Sequence, residues 1–585
     1  MPSGRHCGRA AKRREVPIHL PHDPRAIASG AAGGLWLLGL WFAAPLLGRT
    51  RSASLRVAAM MALGSLVPLA LGAIDALYGW SSWAVVAALV LVRCLRHRGV
   101  RQEQAAEAPA WDLAVGLGVL LALAWPLAVR PAMDGDTLIY HLPNAASWAA
   151  QHGIWATGTR YWWYPPASEL FASGLLAAAG IGAAAFAGLV PAVLLILTLR
   201  AAAVRHEMPP VAGTLAACAL LATPVAAVQL VSLQNDLWLS ALFLCTLVEL
   251  EAPAFAVLAL TKPQGLLYAI VAGATWVKDR GRLVRASAFA LGALALWAAR
   301  DLLLAPHAAI PIGSTAIPAM AESTIAAHLP HSLAVLAVAS WHAGIAWSVL
   351  LALGAAAIVF SRELYLRWAA LAALVLFAFV PTAYEGGTIA QLATGASLRF
   401  ALPVAALGAL WALTLGRRAA PFVGVLAGFA VLAGIAAQWR LFASDATTHD
   451  TPLIAAGASL LLAIAIALRD RRVCAALAAT LCVALAALAG GLSRSHPGGY
   501  VTDTYGGAFV YAASARAARV VTLGLPAGAA VTVDPAVEAF DGLDDGTCAQ
   551  ARALRAVIVA SAQRAADLHC GRVVYRDART AVIRP

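Results

Sequence analysis

Apolar runs of helical length recur along almost the whole chain, at about 28–48, 57–75, 80–95, 111–129, 184–200, 211–231 and 236–250. They continue at 286–304, 341–359, 368–383, 400–416, 421–438, 452–468 and 473–490. Each is long enough to cross a hydrocarbon layer as a helix, so the pattern predicts about fourteen crossings. Two apolar stretches do not fit simple alternation. Residues 166–182 follow a Pro-Pro pair and are interrupted by glycine, and parity holds if they lie along the outer surface. Residues 253–277 carry Lys262-Pro263 at their centre, which predicts a broken hairpin with Lys262 at its tip, lining a cavity.

The polar positions between the runs set orientation. Arg49, Arg51 and Arg56 share a loop, and Arg93, Arg96, Arg98 and Arg101 share the next but one. Arg200 with Arg205, Lys278 to Arg285, Arg362 with Arg367, Arg417 with Arg418, and Arg469 to Arg472 continue the alternation. A basic loop set faces the cytoplasm. The loop at 130–183, the turn at Gln234-Asn235-Asp236 and everything after residue 490 then face outward. The first run conflicts with this, because it leaves the basic N-terminus outside; either residues 28–48 form a hairpin, the true start lies further on, or one N-terminal segment is miscounted.

Composition agrees with a multi-pass membrane protein. Of 585 residues 61% are hydrophobic and 12% charged, with a mean hydropathy of +0.77. The net charge of +13 sits in topological loops, with no basic run interleaved with aromatics, so no nucleic-acid partner is expected. No signal peptide is expected, since the first apolar run is too long for one. After Gly491 the chain turns polar, with β-prone runs at Val520–Leu525, Ala530–Val533, Ala556–Val559 and Arg572–Tyr575 and a helical stretch at Gln563–Leu568. The expected organisation is a basic segment 1–27, transmembrane helices 28–110, a transmembrane core 111–491, and a soluble α/β domain 492–585. Cys548 and Cys570 share that domain and can pair if it is extracytoplasmic. No Cys or His spacing suits a metal.

The candidate chemistry gathers on the outer face. Asp134 and Asp136 stand where the run 111–129 should emerge, followed by Tyr140 and His141, with a surface helix expected over Tyr140–His152. Tyr161-Trp162-Trp163-Tyr164-Pro165-Pro166 lies in the same loop, Asp236 at an outward turn, Lys262 at the hairpin, and Arg399 at another outer end. Ionisable groups at a membrane edge are functional candidates. Acids with cations suit deprotonation of a nucleophile and stabilisation of a departing phosphate. Plainer roles stand beside each: a helix cap for Asp136 and Asp236, snorkelling for Lys262, an interfacial anchor for the Trp pair, and a hydrogen-bonded side chain for His141.

The order Asp-x-x-x-Tyr after a crossing, Tyr-Pro-Pro, an Asn-Asp turn, Thr-Lys-Pro-x-Gly and Arg-Phe-x-x-Pro resembles the GT-C glycosyltransferases over residues 111–410. The similar branch is the polyprenyl-phosphate-dependent one, with aminoarabinose transferases and protein O-mannosyltransferases. The resemblance implies an inner-membrane enzyme of the bacterial type whose outer-loop acid activates an acceptor hydroxyl for inverting attack on the sugar. Asp136 matches that acid better than Asp134, Asp236 matches the second-loop acid, Lys262 a cation near the donor phosphate, and Arg399 matches more loosely. Tyr140, His141 and Tyr164 join them as substrate-binding candidates. The chain differs in having Asp-Gly-Asp-Thr for Asp-Glu, Tyr before Pro-Pro, and extra N-terminal crossings.

The expectation is thus an all-α GT-C-like bundle with a small α/β extracytoplasmic domain, using a polyprenyl-phosphate-sugar donor within membrane lipid. The acceptor, whether glycan, lipid or protein, stays open, as does a divalent metal. The alternative is a transporter or flippase, for which Lys262 and the acids would be coupling or substrate charges.

Overall fold

The computed structural model describes residues 24–47, 52–96, 111–128, 136–304 (without 158, 160 and 185), 337–379 (without 342), 398–443 and 505–585 (without 534–536 and 543–545). Helices α1 (Pro24–Ala43), α2 (Ala53–Ala73), α3 (Gly79–Arg96) and α4 (Trp111–Ala128) come first. A π-turn at Thr137–His141 runs into α5 (Leu142–Ala150), then α6 (Ala167–Ala179), α7 (Phe186–Arg205), α8 (Pro210–Leu221) and the short α9 (Pro224–Ala227). Next are α10 (Asp236–Val248), α11 (Ala252–Ala259), α12 (Pro263–Ala274), α13 (Arg280–Leu304), α14 (Ile345–Phe360), α15 (Leu364–Phe379), α16 (Leu402–Thr414) and α17 (Ala420–Ala443). By length and composition, six helices among the described residues suit a membrane span, or seven with one bent pair. Shorter apolar helices, α6, α10 and α12 among them, pack between these. The expected crossings at 452–468 and 473–490 lie outside the described residues.

One end of the bundle is basic and tied by polar clasps. Arg200 pairs with Asp112 at the start of α4 (2.7 Å), and Thr214 donates to the same carboxylate. Ser52 and Ser54, at the start of α2, donate to Glu249 just past α10. Arg205 reaches the Val248 carbonyl, and Arg417 the Glu207 carbonyl. Arg200, Arg205 and Arg417, from two of the loops read as basic, are thus tied into the bundle by these bonds. Asp112, which is buried, has an ion pair and a hydrogen bond at Oδ2, which offset part of its desolvation. Elsewhere contact is by close backbone approach. A Cβ on Gly354 would fall 2.1 Å from the Val404 carbonyl, and one on Gly408 2.0 Å from the Leu350 carbonyl, so α14 and α16 cross at glycines.

Four local expectations are corrected. Residues 28–48 form no hairpin; α1 is one helix with a 3₁₀ turn after it, and it packs on α2, α3 and α6. Residues 167–175 are buried against α2 and α5 instead of lying along a surface, and the polar side chains Ser168, Glu169 and Ser173 find their partners inside the protein. The run 211–231 breaks at Thr223-Pro224, where α8 bends by 83°; Pro224 has no N–H to continue the helix, and Thr223 is extended (ψ 142°). The stretch after Tyr140 is also buried, from Leu142 to Trp148.

The C-terminal domain contains α18 (Ala508–Ser514), β1 (Arg519–Leu523), α19 (Gly528–Val533), β2 (Glu538–Asp541), α20 (Thr547–Leu554), β3 (Val557–Ser561), α21 (Ala562–Ala566), β4 (Arg572–Arg576) and β5 (Thr580–Arg584). The sheet order is β2-β1-β3-β5-β4; β1 pairs parallel with β2 and β3, and β5 antiparallel with β3 and β4. Ala530–Val533, expected as a strand from its β-branched residues, is part of helix α19, where the consecutive residues Ala529, Ala530 and Val531 are all buried instead of alternating between two faces. Cys548 and Cys570 form a disulfide. Helix α19 packs on α5 and on the π-turn, and β2 on α5, so the domain rests on the segment that follows Asp136.

Candidate active site

Asp136 stands immediately before the π-turn, as its N-cap residue. Pro143 cannot donate to the carbonyl four residues back, and the widened turn closes instead from the Leu142 N–H to Thr137. The Thr137 hydroxyl accepts from the Leu233 N–H (3.1 Å), tying the turn to the loop before α10. That loop is itself fixed by Gln229, whose carboxamide oxygen accepts from the Leu237 N–H (2.8 Å). Asp236 therefore enters the site as the first residue of α10, buried, and not at an open turn.

Lys262 comes from the third direction. Helices α11 and α12 form the expected hairpin, broken at Leu260-Thr261-Lys262, where Lys262 is fully extended (φ −172°, ψ 172°) before Pro263. Asn235 donates to the Thr261 carbonyl (3.2 Å), so the hinge and the start of α10 are held together. Arg399, on a 3₁₀ turn leading into α16, comes from the fourth.

These four side chains form a continuous chain of ion pairs. Lys262 Nζ pairs with Asp236 Oδ1, Arg399 Nε lies 3.4 Å from Asp236 Oδ2, and Arg399 Nη2 pairs with Asp136 Oδ2. Phe400 lies beneath both cations, its ring centroid 5.1 Å from Lys262 Nζ and 5.0 Å from the Arg399 guanidinium carbon. Accessibility falls along the chain, from 29% at the Asp136 side chain to 4% at Asp236. Asp136 is thus the more accessible of the two acids.

An aromatic wall adjoins Asp136. The Tyr140 ring is 3.9 Å from that of His141 and 5.0 Å, edge-on, from Tyr161, which stacks on Tyr164 at 4.8 Å. Tyr161 has φ +53°, a conformation that the surrounding contacts must enforce. Burial, with Asp136 and other charges close by, lifts the Tyr140 hydroxyl well above its ordinary range. Burial, then Tyr161 and Asp136, push Tyr164 up to about 12. Both phenols are consequently hydrogen-bond donors at neutral pH and poor bases.

Two residues that sequence reasoning passed over hold this wall. Arg300, buried near the end of α13, donates to the carbonyls of Ile154 (2.7 Å), Trp162 (2.9 Å) and Ala156 (3.1 Å), and to Asp301. Trp297, Trp162 and Trp148 surround its guanidinium. Trp162 is therefore buried packing and not an interfacial anchor. Glu169 accepts from His141 Nδ1 at 2.6 Å and from Ser168 at 2.8 Å. Both residues sit inside apolar runs, and a charge in such a run, single at Glu169 and paired at Arg300-Asp301, is the available signal.

Of the residues expected in the site, Asp136, Asp236, Lys262, Arg399, Tyr140 and His141 come together, Tyr164 joins through Tyr161, and Asp134 lies outside the described residues. Among the described residues no three His, Cys, Asp or Glu side chains gather as a metal-binding set.

No protein-family model and no curated protein matches this chain. Two solved structures are similar in fold. The crystal structure of ArnT from Cupriavidus metallidurans bound to undecaprenyl phosphate has a TM-score of 0.47 and 16% identity, covering 81% of this chain and 98% of that one. The apo structure of the same ArnT has a TM-score of 0.43 and 17% identity, covering 80% and 97%. At these values the likeness is one of outline, and it assigns this chain no reaction.

Proposed function

We propose that this chain is a membrane glycosyltransferase that moves a sugar from a polyprenyl-phosphate donor to an acceptor hydroxyl, with inversion at the anomeric carbon and Asp136 as general base. The observation that carries this reading is the alternating chain Asp136–Arg399–Asp236–Lys262, delivered by four separate elements and open at the Asp136 end. The motif order that resembles the GT-C enzymes falls on these same residues.

The chemistry follows from the charges. A donor phosphate is drawn to Lys262 and Arg399, and competes with Asp136 for the Arg399 guanidinium. Asp136 is then released from its ion pair as the donor arrives. The acceptor hydroxyl gives its proton to the Asp136 carboxylate, its oxygen forms the new bond to the anomeric carbon, and the bond from that carbon to the phosphate oxygen breaks. The electron pair leaves on the polyprenyl phosphate, where the two cations stabilise it. A positioned base of this kind contributes about 10²–10⁴-fold. Asp236, buried between the cations, offsets their mutual repulsion and does not meet the hydroxyl.

The test is incubation of the purified full chain in lipid with polyprenyl-phosphate-linked sugars and candidate acceptors. Transfer with release of free polyprenyl phosphate supports the reading. Solute or lipid movement across the bilayer without release of polyprenyl phosphate supports a transporter instead.

A further inference from the structure

The first turn of α6 touches both halves of the site. Its Ala167 N–H donates to the Leu260 carbonyl (2.8 Å), two residues before Lys262 at the hinge of α11 and α12. Two residues further, Glu169 grips the ring of His141, the last residue of the π-turn that begins after Asp136. Both partners are buried, with side-chain accessibilities of 1% and 4%. Ser65, on α2, donates to the Ala167 carbonyl (2.8 Å), which fixes this turn to the bundle as well.

A buried carboxylate beside an imidazole is costly unless its geometry is used, because an apolar pair of the same volume packs at least as well. This pair has a directional consequence. An ionised carboxylate only accepts, so the ring proton is held on Nδ1 and Nε2 is the nitrogen left to accept. Ser168 occupies the other oxygen of the carboxylate at 2.8 Å, which keeps the head group from rotating away. The ring so fixed lies 3.9 Å from Tyr140.

We propose that Glu169 is a positioning residue for the transfer reaction, acting through His141 to hold the Asp136-bearing turn at a set distance from the Lys262 hinge. The proposal rests on the glycosyltransferase reading. Arg399 makes the direct link between the base and the buried acid; Glu169 supplies a second link, through the backbone, that persists when a phosphate displaces Asp136 from Arg399. The base then stays in place at the moment its ion pair opens.

The test uses the full chain in lipid nanodiscs, with Glu169→Ala and Glu169→Gln beside the wild type. Steady-state transfer from a polyprenyl-phosphate sugar gives kcat and KM, and ¹⁵N resonances of labelled histidine, assigned by loss in His141→Asn, give the His141 tautomer. Glu169→Ala is expected to lower kcat by about tenfold or more with the donor KM within about threefold, since misplacement affects the chemical step and not uniform binding. Its His141 signal should lose the Nδ1–H signature. Glu169→Gln keeps an acceptor for that proton, so it should keep the tautomer and recover much of kcat.

An Ala variant with kcat unchanged, or with the Nδ1–H signature intact, overturns the role given to Glu169. If the Ala variant does not fold, a Gln variant that has lost the tautomer yet keeps kcat overturns it equally. A wild type with no transfer at all overturns the glycosyltransferase reading itself, which separates the two failures.

Discussion

Lys262 pairs with Asp236 across two helices that reach the site from different directions, one residue on a hairpin hinge and the other on the first turn of α10. Removing Asp236 leaves Lys262 buried without its ion partner, and removing Lys262 leaves the buried Asp236 with Arg399 alone. Breaking such a pair costs about 3–5 kcal/mol, whereas removing both charges is far less damaging. Lys262→Met and Asp236→Asn should each lower the unfolding midpoint in detergent, and the double variant should recover part of the loss. Strictly additive losses would show that the two residues do not depend on each other.

Arg300 gives a prediction about the aromatic wall. Its fork satisfies three backbone carbonyls of the segment 154–162, a geometry that one ammonium cannot reproduce. Arg300→Lys should therefore loosen that segment, seen as faster amide exchange over 151–164 with the helices of the bundle unchanged. Exchange that remains as slow as in the wild type would mean that the three carbonyls are not what holds the loop.

The C-terminal domain carries a pH dependence of its own. Burial raises the Asp577 carboxyl, but the N–H groups of Arg579, Gly507 and Thr580 and the Tyr575 hydroxyl outweigh it and bring it down to about 2. The folded value lies below the ordinary 3.8, so its stabilisation is complete above that pH and is lost as pH falls from 3.8 through about 2. Amide exchange of α18, tied to β4 and β5 through this carboxylate, should accelerate over that window in the wild type. Asp577→Asn should show raised exchange already at neutral pH and little further change. A wild type whose exchange is flat down to pH 2 contradicts the assignment.

The Cys548–Cys570 bridge tests where the domain lies. In membranes prepared without reductant and blocked against exchange, a thiol-reactive polymer should label neither cysteine of the native chain until a reductant is added. Labelling before reduction, with the domain folded, would place these thiols in a reducing compartment and reverse the orientation drawn from the loop charges.

Much of this organisation is legible in the residues themselves. Lys262-Pro263 within an apolar run marks a broken hairpin because the proline removes a helix donor and the charge needs a polar neighbour; the hinge stands there. Asp136, Asp236 and Arg399 are legible for the same reason, as charges at the ends of apolar runs. What could not be read is partnership. Nothing in Glu169 names His141, 28 residues earlier, and nothing in Arg300 names Trp162 or Ile154. The depth of α6 is not legible in its residues, because buried and lipid-facing positions in this chain are equally apolar and amphipathicity cannot separate them. The bend at Thr223-Pro224 was missed although its proline was visible, since prolines also occur inside straight spans here, as at Pro191 in α7.

The central claim is that Asp136 removes the acceptor proton, and Asp136→Asn tests it most directly. The amide fills the same volume and can still meet Arg399, but it cannot take a proton at neutral pH. Single-turnover transfer from a bound polyprenyl-phosphate sugar should fall by about 10²-fold or more while donor binding stays within a few-fold. A variant that transfers sugar at the wild-type rate contradicts the account.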